Sequence, residues 1–225
     1  MKRVFPILAV LTAALLSYAL YEALIVAPTE QTMGDVQRIF YYHVPSAWTA
    51  FILFSINFVA SVVYLIRRSN KADIVALVTA EVGVVFCTVV LVTGPIWARP
   101  VWGIWWTWDL RLTLTQVLWL IYVSYLILRR FSDSSQTQKL AAALAVFGAL
   151  DVPLVYFSIW FFRTQHPQPV IGGGGSMDPR MLHVLMISWT AFLFFAFLVC
   201  WSRYRLETLR REVEQAEADA SRGSR

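Results

Sequence analysis

His43, His166 and His183 are the three imidazoles of this 225-residue chain, and imidazole is the side chain best suited to ligate a metal or a haem iron near neutral pH. Between the first and the second lies a dense aromatic stretch, Pro95 to Thr113, holding five of the ten tryptophans: Trp97, Trp102, Trp105, Trp106 and Trp108. Arg99, Asp109 and Arg111 set charges among these rings, and Pro95, Pro100 and Gly103 are expected to interrupt regular helix. Such a segment offers an apolar platform with charged edges, which suits a large planar ligand carrying carboxylates. Its plainer reading is an aromatic belt at a membrane surface. Zinc would also accept the histidines, but no cysteine accompanies them and the tryptophans would go unexplained. Cys87 and Cys200 lie within apolar runs, outside any Cys-x-x-Cys pattern, and read as packing residues.

The elements that must carry these residues are membrane spans. A chain 58% hydrophobic and 15% charged is too apolar for an ordinary soluble domain. A spanning helix needs about 20 mostly apolar residues, and six stretches qualify, at about 4–26, 46–66, 73–93, 112–128, 140–162 and 182–202. The expected architecture is an all-α integral membrane protein: a six-span domain over 1–202, a Trp-rich loop over 94–113, and a cytoplasmic tail over 203–225. Fourteen of the nineteen Lys and Arg fall at one set of span ends; Arg38, Arg99, Arg111, Arg163 and Arg180 fall at the other. Positive residues stay cytoplasmic, so both termini face inward and the three histidines and the tryptophans face outward. The net charge of +5 is this topological asymmetry and calls for no nucleic acid. Lys2 and Arg3 before an apolar run resemble a secretory leader, but the apolar run continues to Val26 and reads as an uncleaved first span.

Smaller features add detail. Val36, Ile39, Phe40 and His43, at i, i+3, i+4 and i+7, predict a short helix along the membrane surface with His43 at its inner end. Glu81 and Asp151 place carboxylates within spans three and five, where an ionisable group is costly and marks either function or a bond to a neighbouring helix. Pro153 should kink span five. Gly172 to Gly175 form a flexible loop without the Lys-Ser/Thr ending of a P-loop. Asp178-Pro179 has the form of a helix start. In the tail, the pairs Glu207 with Arg211 and Arg210 with Glu214 support a short solvated helix carrying a thin stripe of Leu206, Leu209 and Val213.

The run Gly94-Pro-Ile-Trp-Ala-Arg-Pro-Val-Trp-Gly-Ile-Trp-Trp-Thr-Trp-Asp-Leu-Arg-Leu-Thr113 resembles the "WWD" signature of the haem-handling proteins of cytochrome c biogenesis, and within them the CcmC family. Tyr42-His43-Val44-Pro45-Ser46-Ala47-Trp48, Arg163-Thr-Gln-His-Pro167 and His183 agree with it. The resemblance implies a carrier, not an enzyme, in the bacterial inner membrane. It would present haem b at the periplasmic face and pass it to the haem chaperone CcmE, at most assisting the covalent bond formed there. Partners implied are the transporter subunits CcmA and CcmB, the small membrane protein CcmD, and lipid. The resemblance assigns the iron to His43 and His183, and haem contact to Trp102, Gly103, Trp105, Trp106, Trp108 and Asp109; by their charge, Arg99 and Arg111 suit the propionates, with Arg38 and Arg180 as weaker candidates. The resemblance gives His166 no ligand role. Two alternatives are a haem channel across the membrane, which would want an inner-side ligand the chain lacks, and a haem- or proton-handling subunit of a redox complex using Glu81 and Asp151.

Overall fold

Apolar runs of this length in a medium that cannot hydrogen-bond the backbone resolve into helices that satisfy their own N–H and C=O groups. The computed structural model describes residues 4–132, 134–162, 166–167 and 177–223. Helix α1, Val4–Tyr21, passes into a π-turn over Glu22–Val26. A 3₁₀ turn over Asp35–Ile39 leads into α2, Phe40–Arg67, and α3 covers Asn70–Trp102. Then come α4, Leu110–Phe131, α5, Ser135–Ala149, α6, Asp151–Phe161, and α7, Pro179–Gly223. Counting α5 with α6 as one crossing, six segments among the described residues are long and apolar enough to span a membrane.

The α2–α3 hairpin is the spine. Arg68 turns the chain at φ 52°, its N–H bonding Tyr64 O at 2.8 Å, and Ser69 Oγ caps α3 by accepting from Ala72 N. At mid-bundle Phe54 stacks on Tyr122 with ring centres 3.9 Å apart. A Cβ at Gly83 would stand 2.7 Å from Phe54 Cε1, so glycine lets the two helices close. Helices α4 and α7 pack on other sides of α3, and α1 lies against α7. The α5–α6 break falls at Leu150, whose N–H bonds Phe147 O at 3.1 Å. Pro153 cannot donate to the carbonyl four residues back, and the expected kink follows.

Three boundaries differ from the sequence expectation. Helix α2 starts at Phe40, so His43 lies within a helix continuous with span two and not on a separate surface helix. Helix α3 runs through Pro95 and Pro100 to Trp102. The Trp-rich loop therefore begins at Gly103, whose φ of 76° ends the helix, and not at 94. A proline forfeits one hydrogen bond but does not stop a helix that is packed on both sides of it. The third difference lies in α7, which continues straight past 203 and packs where a solvated tail was expected. Its polar face meets the bundle, and Leu206, Leu209 and Val213 point away from it.

The reason is a cluster of buried charge. Asp73, 2% exposed, accepts two bonds from Arg129 at 2.6 and 2.8 Å and one from Arg211 at 2.8 Å. Glu207 in turn accepts from Arg211 at 2.7 Å and from Arg210 at 3.1 Å. Higher on the same pair of helices, Glu81 takes a two-pronged bond from Arg203, at 2.8 Å on each oxygen. Glu81 thus bonds a neighbouring helix. Asp151 is buried with one carboxylate oxygen lacking a partner among the described residues.

Candidate functional site

At the end of the bundle opposite the Asp73 cluster, α2, α3, α4, α6 and α7 splay around a cavity of about 490 Å³. That volume falls in the range of about 300–1,000 Å³ usual for small-molecule sites. Six tryptophans, Trp48, Trp97, Trp102, Trp105, Trp106 and Trp189, line the cavity, and its polar groups include His43, His166, Arg111, Thr107, Thr115 and Tyr156. Trp97, Trp106 and Trp189 each bury an indole Nε1–H that finds no acceptor among the described residues. Buried donors are ordinarily satisfied, so three orphans around one cavity point to a ligand with acceptor atoms.

His43 is fixed by its neighbours on α3. Its Nδ1 lies 2.9 Å from Thr93 Oγ1, and that hydroxyl donates its own hydrogen to Val89 O at 2.7 Å. Thr93 must therefore accept, the proton sits on His43 Nδ1, and the lone pair sits on Nε2. Gly94 makes room: a Cβ there would stand 3.4 Å from His43 Cε1. The Trp97 ring meets the imidazole edge-on with centres 5.8 Å apart. His166 Nδ1–H donates to Pro167 O at 2.9 Å. Burial and the neighbouring Arg111 cation hold its imidazole down to about 4, so it is neutral and able to ligate at physiological pH.

The two imidazole ring centres stand 6.3 Å apart with planes inclined by 35°. With a metal–nitrogen bond of about 2 Å and about 1 Å from nitrogen to ring centre, two imidazoles on opposite sides of one metal stand roughly 6 Å apart. A carbonyl or hydroxyl on each outer nitrogen is the usual support for a ligating histidine.

The expected site residues divide. His43, Trp102, Trp105, Trp106 and Arg111 line the cavity. His183, the expected partner of His43, is exposed on α7 and outside the lining, which includes His166. Gly103 and Asp109 shape the loop: Gly103 ends α3, and Asp109 caps α4 by accepting from Leu112 N at 3.0 Å while Thr107 Oγ1 donates to its other oxygen at 3.1 Å. Arg99 folds back on the Gly103 carbonyl outside the lining. Trp108 is 76% exposed, with an edge contact to Trp106. Arg111 Nη1 donates to Val155 O at 3.2 Å, tying α4 to α6 at the cavity wall. Arg38 bonds Ala23 O and Asp35, and Arg180 pairs with Asp178 at the start of α7. Asp178 also accepts from Arg180 N, the cap expected of Asp-Pro. Arg163 and the glycine run 172–175 lie outside the described residues. Cys87 lines the inner end of the cavity as a free thiol. The described residues contain no cluster of three or more His, Cys, Asp or Glu that could hold a metal ion by themselves. Sequence reasoning passed over His166 and gave no role to Thr93, Trp48 or Trp189. A hydrogen-bonding residue one position before Gly94, within the helix facing His43, was the available signal for Thr93.

Residues 1–219 match the family model described as Heme exporter protein C, CcmC. The chain is 35% identical to Heme exporter protein C of Bradyrhizobium diazoefficiens, over 96% of this chain and 82% of that one. It is 32% identical to the protein of that name from Haemophilus influenzae, over 93% and 87% respectively, and 32% identical to that of Escherichia coli, over 80% and 73%. With the match extending over nearly the whole chain and all six spans, this protein belongs to the CcmC, or Heme exporter protein C, family.

Proposed function

We propose that this membrane protein handles haem for cytochrome c maturation, holding haem b in the outer cavity with the iron between His43 Nε2 and His166 Nε2. The observation that carries the reading is the pair of imidazoles, 6.3 Å apart, each with its Nδ1 proton directed to an oxygen. Trp97, Trp102, Trp105 and Trp106 would pack the porphyrin. Arg111 and the indole N–H groups of Trp97, Trp106 and Trp189 would meet the propionates. His183, Arg99, Gly103, Trp108 and Asp109 support this site from outside or serve its surroundings.

The asymmetry of the two ligands suits a carrier. His43 sits inside a long helix and is held by Thr93, whereas His166 belongs to the segment joining α6 to α7. Release would proceed by exchanging the His166 imidazole for a ligand of the receiving protein, which in this family's pathway is the periplasmic chaperone CcmE. Loops carry such steps because they open at little cost to the scaffold. The excess of Lys and Arg at the Asp73 end supports a cytoplasmic position for that end and both termini, and with it a cavity at the periplasmic face of the inner membrane. CcmA, CcmB and CcmD are the partners this role implies.

The test is the visible spectrum of the protein purified from cells expressing it with the chaperone, beside single alanine variants at the three histidines. The parent shows low-spin haem; His43→Ala and His166→Ala turn it high-spin or lose it; His183→Ala keeps the parent spectrum. Loss of low-spin haem in His183→Ala with retention in His166→Ala would overturn the assignment. Absence of haem from the parent, with cytochrome c assembly intact in all three variants, would overturn the carrier reading.

A further inference from the structure

The α2–α3 hairpin carries a second recess, on the outside of the bundle. It holds about 630 Å³ and runs along α2 from Phe51 to Val63, with Ala72 and Val75 of α3 as its other wall. Small side chains at Ala60 and Ala72, both in its lining, leave the space. Ile56 and Val59 remain 42% and 59% exposed along it, so its open side faces lipid. The helical rise from Phe51 to Val63 is about 18 Å, against about 15 Å for half of the hydrocarbon core. The recess thus matches one leaflet in depth.

Two cations mark one end. Lys71 lines the recess from the first turn of α3, and Arg67 follows Val63 by four residues on the same face of α2. Both are exposed, and neither enters an ion pair among the described residues. Arg129, Arg203 and Arg211, at the same end of the bundle, are instead taken up by carboxylates. Between the cations and Phe51 the one polar side chain in the described lining is Ser55, whose hydroxyl already donates to Phe51 O at 2.8 Å. A helix seated here would find no hydrogen bond to fix it, whereas an acyl chain needs only the shape.

We propose that this recess binds an anionic phospholipid, with one acyl chain lying along α2 between Phe51 and Val63 and the phosphate meeting Lys71 and Arg67. Basic pockets between transmembrane helices on the cytoplasmic side take anionic headgroups. In the orientation proposed above, on which this inference rests, the site belongs to the inner leaflet. The apolar wall holds the chain whatever the headgroup, and the two cations discriminate an anionic headgroup from a zwitterionic one.

Native mass spectrometry of the whole chain, purified in detergent and titrated with phosphatidylglycerol or phosphatidylcholine, tests this. The parent retains one phosphatidylglycerol in preference to phosphatidylcholine. Lys71→Gln lowers that affinity about fivefold and Lys71→Gln/Arg67→Gln about thirtyfold, with phosphatidylcholine unchanged. Both positions are exposed, so these variants are expected to fold as the parent does. Ser55→Trp fills the recess, leaves both cations in place, and lowers retention of either lipid. Arg130→Gln/Lys139→Gln removes two cations from α4 and α5, away from the recess, and keeps the parent affinity. Equal weakening in that control would mean diffuse attraction to the basic end. Displacement by glycerol phosphate would mean an anion site without a chain, and dimers in place of lipid adducts would mean that a second copy covers the recess. Each of these overturns the proposal, as does a parent without preference for phosphatidylglycerol. Detergent has no inner or outer face and the titration needs no haem, so failure would fall on the recess and not on the function proposed above.

Discussion

The two ends of α3 solve the problem of polar groups in an apolar bundle in opposite ways. At the Asp73 end the buried carboxylate is paired: it takes two arginines, and the second arginine takes Glu207. At the Trp97 end three indole N–H groups are buried without an acceptor among the described residues, and two imidazoles stand 6.3 Å apart in the cavity wall. The first arrangement holds the helices in one register; the second leaves binding energy for a ligand. A molecule that must grip a cargo and let it go needs both, since a site that opens requires a scaffold that does not.

Breaking the closed end should have the largest effect. Asp73→Leu leaves Arg129, 5% exposed, without its carboxylate. Removing one partner of a buried pair typically costs about 3–5 kcal/mol. Thermal unfolding in detergent should show that loss, while Asp73→Leu/Arg129→Leu recovers most of it. Haem bound by the folded fraction of either variant should keep the parent spectrum, which would separate the two ends.

At the open end, Thr93→Val removes the oxygen that fixes the His43 tautomer and leaves the side-chain volume nearly unchanged. Loss of such a supporting contact typically costs about 10–100-fold in metal affinity. Haem titration should show that drop without a matching fall in thermal stability. A Thr93→Ser variant, which restores the hydroxyl, should recover most of it.

A smaller effect comes from pH. His166 is held down to about 4 by burial and Arg111, against an ordinary value near 6.5. Between those values the folded imidazole stays neutral while the unfolded one binds a proton. Acidification from pH 7 to 5 should therefore leave low-spin ligation in place while folding stability declines modestly, and ligation should fail as pH approaches 4. A spectral transition centred near 6.5 would contradict the downward shift at His166.

How far the sequence could lead follows the same division. The six spans were legible because length and apolarity suffice for them, and the hairpin turn and the Asp178 cap follow from local chemistry. Pro95 and Pro100 misled because proline's local preference gave way to packing, and Gly103, not either proline, ended α3. The Asp73 cluster was invisible: Asp73, Arg129 and Arg211 belong to three different helices, and nothing local distinguishes them from the solvated charges beside them. The resemblance named His183, and one-dimensional distance carries no information on which outer histidine approaches His43. Only the fold brings 43 and 166 together.

Trp108 gives the finest test, because by motif it is inseparable from Trp106. Trp106 lines the cavity and buries its indole N–H there, whereas Trp108 is 76% exposed and touches the site only through an edge contact with Trp106 at 5.8 Å. Exposed substitutions away from a packed feature usually stay within about 0.5 kcal/mol. Trp108→Ala should therefore change haem affinity by no more than about twofold, and Trp106→Ala should lower it by about tenfold or more, as loss of an aromatic contact and its donor implies. Any effect of Trp108→Ala should appear instead in transfer to the chaperone, measured as the rate at which apo-chaperone gains haem from the loaded protein. Equal losses of affinity in the two variants would mean that the loop closes over haem as a unit, bringing Trp108 onto the porphyrin, and the division between lining and outer tryptophans would fall.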